Sequence, residues 1–188
     1  MISVEQHLIL RKPTEDDAEA IFSMVDKNRE HLKDFPWVEE TLVPEDSNTF
    51  IKSINHNSLF GNRYSLVIEH DQQHVGMIGF HKGSEKNKML EIGYWISKDY
   101  MGKGIITKSC AALINYAFTS TDVNRIVLRC STTNFKSQAV AERLGFIREG
   151  VERQASNING KFLDLNRNSI LRQEWESQRK VAGVLKQT

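Results

Sequence analysis

Tyr100-Met101-Gly102-Lys103-Gly104-Ile105-Ile106-Thr107-Lys108 is the stretch on which the fold turns. Ahead of it, Leu90-Glu91-Ile92-Gly93-Tyr94-Trp95-Ile96 is rich in β-branched and aromatic residues and reads as a strand. Behind it, Ile106, Cys110, Leu113, Ile114 and Ala117 recur at three- and four-residue steps, so residues 105–118 read as a helix with one face in the core. A strand, a glycine turn and a helix N-terminus together make a place for an anion. The glycines let backbone N–H groups approach closely, and the helix dipole favours negative charge there. No Asp or Glu occurs from Tyr100 to Thr121, while Lys103 and Lys108 flank the turn. The segment reads as a pyrophosphate cradle.

Two nucleotide motifs come close and fail. A P-loop pattern would run from Gly102 to Lys108-Ser109, but Thr107 stands where its second glycine belongs. A dinucleotide fingerprint fails at the same threonine. A bare turn joining strand to helix stays open on this segment alone. Further along come a short buried strand at residues 126–130, then Asn134-Phe135-Lys136-Ser137, then Gly145-Phe146 and Glu149-Gly150.

As a set, these motifs resemble the GCN5-related N-acetyltransferase superfamily, whose acetyl-CoA loop has the pattern [Q/R]-x-x-G-x-[G/A]. The chain is most similar to the branch that includes ribosomal-protein N-terminal acetyltransferases. The residues that carry the likeness are Glu91 to Ile96, Gly102 to Ile106, Asn134-x-x-Ser137 and Gly145-Phe146-x-x-Glu149-Gly150. It covers essentially the whole chain. The likeness implies acetyl-CoA as cosubstrate, held by the backbone of Tyr94, Trp95 and Ile96, by Met101, Gly102, Lys103, Gly104, Ile105, Ile106 and Thr107, and by Asn134 and Ser137. Met101 and Ile106 depart from the superfamily pattern, which prefers Gln or Arg and Gly or Ala there.

The same resemblance assigns the chemistry. Many superfamily members carry a tyrosine acid four residues after Ser137, where this chain has Ala141. In the close branch the serine of N-x-x-S is the acid near the sulfur, and Ser137 keeps it. The branch's glutamate base corresponds to Ser156, so Glu91, at the start of the cofactor strand, is the substitute base. Asn134 and Ser137 also suit a helix N-terminus for structural reasons alone. Glu91 equally suits an ordinary ion pair. Phe35 and Trp37, in Asp34-Phe35-Pro36-Trp37, fall where the family builds its acceptor channel, or simply pack on the domain.

At 188 residues, with 39% hydrophobic and 26% charged, the chain fits one domain with an ordinary core. Lys+Arg 25 against Asp+Glu 24 lacks the basic excess of a nucleic-acid binder. The two cysteines, Cys110 and Cys130, read as small buried residues, and the six histidines (7, 31, 56, 70, 74, 81) show no metal pattern. Residues 1–7 lack the regions of a signal peptide, and no apolar run reaches the ~20 residues that span a bilayer. A reducing cytoplasm is the expected compartment.

Strands are expected at 7–11, 64–69, 75–82, 90–96, 126–130 and 147–154, with helices opened by Thr14-Glu15-Asp16-Asp17 and by Pro44-Glu45-Asp46. Asn159-Gly160 marks a hairpin, whose second arm starts the run from Lys161 to Trp175 and supplies the seventh strand. The implied fold is α/β (α+β): a mixed, mostly antiparallel sheet of about seven strands with a central parallel pair and helices on both faces. Residues 1–175 form the domain and 176–188 a polar tail. The expected activity is acetyl transfer to a primary amine by direct attack in a ternary complex, with a protein N-terminus as acceptor. A small amine such as a polyamine or aminoglycoside, and a non-catalytic acyl-CoA-binding module, remain the alternatives. A homodimer or higher homo-oligomer is compatible with the resemblance.

Overall fold

The computed structural model describes residues 1–54, 58–60 and 63–184. Its strands are β1 (Ile2–Glu5), β2 (Leu8–Arg11), β3 (Tyr64–His70), β4 (Gln73–Ser84), β5 (Met89–Ile96), β6 (Arg125–Ser131), β7 (Ile147–Ile158) and β8 (Lys161–Leu171). They form one eight-stranded sheet in the order β1-β2-β3-β4-β5-β6-β8-β7. Among the described residues only β5 and β6 pair in parallel; every other neighbouring pair is antiparallel. The strand beyond the expected seven is β1, in a stretch whose short alternation is too brief to stand out from an irregular start. The turns behave as their residues dictate. Asp71 and Gln72 both take positive φ between β3 and β4, and Asn159 and Gly160 do so between β7 and β8.

The helices are α1 (Ala18–Lys27), α2 (Arg29–Leu32), α3 (Trp37–Glu40), α4 (Pro44–Ser53), α5 (Ile105–Ser120), α6 (Phe135–Arg143) and α7 (Arg172–Val184). They cover both faces of the sheet. Leu66 and Ile68 of β3, Ile78 and Phe80 of β4, and Leu90 and Ile92 of β5 pack with Cys110, Leu113, Ile114 and Ala117 of α5. Val67 and Met77 point the other way, against Ala18 and Ile21 of α1 and Ile51 of α4. A strand buried on both faces shows a continuous apolar run, as Leu66-Val67-Ile68 does. α7 crosses the division expected at 175/176: Trp175 is buried in the core, and the helix runs on through the polar residues after it. Residues 185–188 of the expected tail lie outside those described.

Two charged groups fasten the ends of these elements. At the C-terminus of α5 the Arg172 guanidinium donates to the carbonyls of Phe118, Thr121 and Val123, and lies 5.4 Å from the centre of the Phe118 ring. It thus satisfies carbonyls that a helix end leaves unpaired. Before α1, a 3-10 turn at Glu15–Asp17 is closed by the Asp17 carboxylate, which accepts from the Thr14 N–H at 2.7 Å.

Asp17 also accepts two hydrogen bonds of 2.8 Å from Arg11, whose Nε reaches Glu69 at 2.7 Å. The Arg11 bonds and the Thr14 N–H hold the buried Asp17 carboxyl far below its ordinary 3.8. Below that pH the unfolded chain takes up a proton that the folded carboxylate refuses, so this stabilisation is present above it and lost on acidification. Asp17→Asn should therefore cost about 3 kcal/mol at pH 7, with the gap to the wild type closing as pH falls below 4. Urea unfolding at pH 7, 5 and 3 checks both.

Candidate active site

β5 and β6 are paired only at Met89↔Arg125, Leu90↔Ile126 and Glu91↔Val127. Beyond Glu91 the strands separate, though β5 continues to Ile96 and β6 to Ser131. The separated stretch leaves main-chain N–H and C=O groups of β5 facing a gap instead of a partner strand, and such groups seek hydrogen bonds. The splay thus offers a long polar backbone edge in the middle of a sheet.

After β5 a 3-10 turn at Lys98–Tyr100 leads into the glycine turn that opens α5. Gly104 caps α5 with φ 75°, and Gly102 shares that left-handed conformation, which side chains other than glycine's rarely adopt. Ile105 and Ile106 follow with their side chains in the core, 3% and 9% exposed. The first N–H groups of α5 lack intrahelical partners and carry the positive end of its dipole. Ile106, at the position where glycine or alanine is preferred, therefore contributes an anchor below and a backbone amide above. The two lysines separate. Lys108 is paired with Glu5 of β1 at 2.8 Å, whereas the Lys103 ammonium lies over the Tyr100 ring, 4.8 Å from its centre. Met101 packs partly buried against the core, and Thr107 is half-buried.

Across the splay lies α6. The Asn134 side chain caps it by accepting from the Ser137 N–H at 3.0 Å. That is the structural duty of Asn134, and it leaves the Ser137 hydroxyl unclaimed by the cap. Ser137 stands next to Tyr94 of β5. Burial pushes the Tyr94 phenol well above its ordinary range, and Ser137 is near enough to pull it back in part. The phenol oxygen is buried and has no hydrogen bond of proper geometry. Tyr94 and Ser137 thus face each other on the α5–α6 side, with Ile96 buried in the same core.

The opposite side of β5 has another character. Side chains alternate along a strand, so Glu91, Gly93 and Trp95 point toward the α1–α4 layer. The Trp95 ring lies tilted 5.6 Å from that of Trp37, which lies 5.7 Å from Phe35. All three aromatics are half-buried against Val25, Leu32 and Val38. Phe35 and Trp37 therefore pack on the domain and, with Trp95, form one wall on this face. α3 is tied to the β7–β8 turn by a 2.7 Å hydrogen bond from Asn159 to Glu39.

Glu91 begins a chain of ion pairs on that side. Arg129 donates to it at 2.9 Å and to Glu152 at 3.1 Å; Arg167 donates to Glu152 at 2.8 Å and lies 3.4 Å from Glu149, which also takes Arg125. Ser156 sits just past an irregularity in β7, where Gln154 takes positive φ and donates its N–H to Asp164. One residue that spacing did not single out is His81, laid over Gly93 at a bulge in β4. No sequence signal marks it, because a bulge is set by the partner strand's register.

Among the described residues no three His, Cys, Asp or Glu side chains are grouped to hold a metal ion; His56 lies outside them. Cys110 and Cys130 are free and buried. No described helix is long and apolar enough to cross a membrane.

Residues 7–147 match the family model for the acetyltransferase (GNAT) domain. The chain is 35% identical, over 94% of its length and 97% of the other's, to a Bacillus subtilis (strain 168) protein named putative ribosomal N-acetyltransferase YdaF. It is 31% identical, over 88% and 93%, to the ribosomal-protein-serine acetyltransferase of Escherichia coli (strain K12). Among solved structures, the microcin C7 self-immunity acetyltransferase MccE, in complex with acetyl-CoA and AMP, superposes with a TM-score of 0.84 at 30% identity, covering 89% of this chain and 94% of that one. The splayed strands, the glycine turn on a helix N-terminus and these likenesses place the chain in the GNAT family of N-acetyltransferases, whose acyl donor is acetyl-CoA.

Proposed function

We propose that this enzyme moves the acetyl group of acetyl-CoA to the N-terminal α-amine of a protein, a ribosomal protein being the acceptor class that the relatives' names suggest. The observation that carries the reading is the splay of β5 from β6 immediately above the Gly102–Gly104 turn, with Ser137 at its edge. The diphosphate fits the turn, held by the amides of Gly104 to Thr107 and by Lys103. The pantetheine arm then lies along Tyr94, Trp95 and Ile96 as an added strand would, in hydrogen bonds to their backbone.

Bound so, the thioester reaches the place where β5 leaves β6. An amine attacks its carbonyl carbon from the α1–α4 side, past Phe35 and Trp37, and amides of β5 stabilise the oxyanion that develops. On the other side Ser137, oriented by the Asn134 cap, donates its hydroxyl proton to the departing sulfur. Attack is direct, so donor and acceptor must be bound together. Glu91, held by Arg129, keeps the mouth of the splay polar. A role for it as the base has to overcome that ion pair.

The test is to locate the acetyl group by mass spectrometry on a peptide with a free N-terminus and an internal lysine, beside the same peptide blocked at its N-terminus and beside spermidine. Acetylation at the α-amine alone supports the reading. Acetylation of spermidine alone would replace it with a small-amine enzyme.

A further inference from the structure

The reading above leaves the acceptor's proton without a free base, since Glu91 is engaged by Arg129 and Ser156 carries no carboxylate. His81 stands where that proton must leave. The β4–β5 register slips between Phe80, opposite Ile92, and Lys82, opposite Glu91, so His81 is the extra residue of a bulge. Bulges re-aim the side chain they carry. A Cβ added to Gly93 would fall 1.6 Å from His81 Nε2 and 2.6 Å from Cε1. Glycine at 93 is therefore what lets the imidazole lie on the strand backbone. Gly93 is two residues past Glu91, the last point at which β5 is paired with β6, so the ring sits at the mouth of the splay. The Cβ direction at Gly93 is that of Glu91 and Trp95, which puts the ring on the acceptor side, opposite Tyr94 and Ser137.

We infer that His81 is the general base of the transfer, taking a proton from the acceptor ammonium while Ser137 serves the sulfur from the other side of β5; this rests on the acetyltransferase reading. The ammonium gives one proton to the neutral imidazole, which passes it to water. The amine lone pair then forms the C–N bond, and collapse of the tetrahedral adduct breaks the C–S bond. The sulfur takes the Ser137 proton, and the serine is reprotonated by the second proton shed from the acylated nitrogen. The net products are the amide, CoA thiol and one proton.

Electrostatics agree with this assignment. Desolvation where the ring lies against the strands lowers the His81 pKa from its ordinary 6.5, against the opposing charge of Glu91, while the residue as a whole stays exposed to solvent. The ring is thus neutral at pH 7 and reachable by water. The charged groups around it are Glu91 on β5, Arg129 on β6 and Glu152 on β7 behind Glu91, and Lys82 next along β4.

The experiment is the pH dependence of kcat and kcat/KM for wild type, His81→Gln, His81→Ala and Glu91→Gln, with acetyl-CoA affinity and melting temperature measured on each. We expect a wild-type acidic limb with a midpoint below 6.5. Both His81 variants should lose about 100-fold or more in kcat at pH 7 and lose that limb, with acetyl-CoA affinity and melting unchanged. Added imidazole should restore part of the His81→Ala rate. A His81→Gln enzyme that keeps both rate and limb overturns the inference, as does loss of the limb in Glu91→Gln alone. A wild type that binds acetyl-CoA but acetylates nothing overturns the acetyltransferase reading and the base with it.

Discussion

Ser137→Ala lowers kcat about 100- to 1,000-fold and leaves the Kd for acetyl-CoA unchanged. The split follows from what the residue touches. Its N–H donates to Asn134 and so belongs to the α6 cap, but alanine keeps that N–H. Only the hydroxyl goes, and no cap or core contact depends on it. The half-buried hydroxyl stands beside the Tyr94 phenol, whose oxygen is shut off from solvent. A proton donor in such a place matters most when charge develops on the sulfur, in the transition state, and hardly at all when acetyl-CoA first binds. Steady-state kinetics together with calorimetric titration of acetyl-CoA check both halves. An unchanged kcat removes Ser137 from the chemistry; a weakened Kd with normal kcat makes it a binding residue.

Gly79→Ala should have the largest effect on stability. A Cβ there falls 2.1 Å from the Tyr64 carbonyl oxygen and 2.9 Å from Ser65 Cα, and both are main-chain atoms of the neighbouring strand. No side chain can swing away to relieve the contact. Gly79 pairs with Ser65 on one side and Gly93 on the other, so the strain spreads to β3 and to the cofactor strand β5. We expect a loss of about 3 kcal/mol or more, which for a chain of this size lowers the melting temperature by on the order of 10 °C. Gly150→Ala is the control: its position is open, with nothing within 4 Å, and should melt with the wild type. Calorimetry on the three proteins decides it, and equal melting of Gly79→Ala and wild type would contradict the packing described for β3 and β4.

The parts legible in the sequence are those set by local chemistry. The β5–turn–α5 unit shows itself because an apolar strand, two glycines and a helical stripe fall in consecutive order, and the structure has Ile105–Ser120 as that helix. Asn159-Gly160 specifies its turn by the φ it tolerates. What stayed hidden depends on partners far along the chain. β1 is four residues that gain strand structure only by pairing with β2. α7 buries Trp175 amid polar neighbours, so no long apolar stripe announces it. The two short helices around Pro36 bury Leu32 and Val38 in a small cluster that the distant Trp95 of β5 joins. Glu91 could be read as base or ion pair, and nothing in its own segment says that Arg129 is the partner. His81 is the clearest case, since one slipped residue between β4 and β5 moves it over Gly93.

The measurement that tests the central claim most directly is free-thiol release from acetyl-CoA. It should be run with purified enzyme against peptides bearing Ser, Ala or Met N-termini, a polyamine and an aminoglycoside. The account predicts thiol release that requires both enzyme and a free peptide α-amine, and none with N-terminally blocked peptides. Absence of release with every acceptor, from protein shown to bind acetyl-CoA, would contradict it and leave an acyl-CoA-binding module in its place.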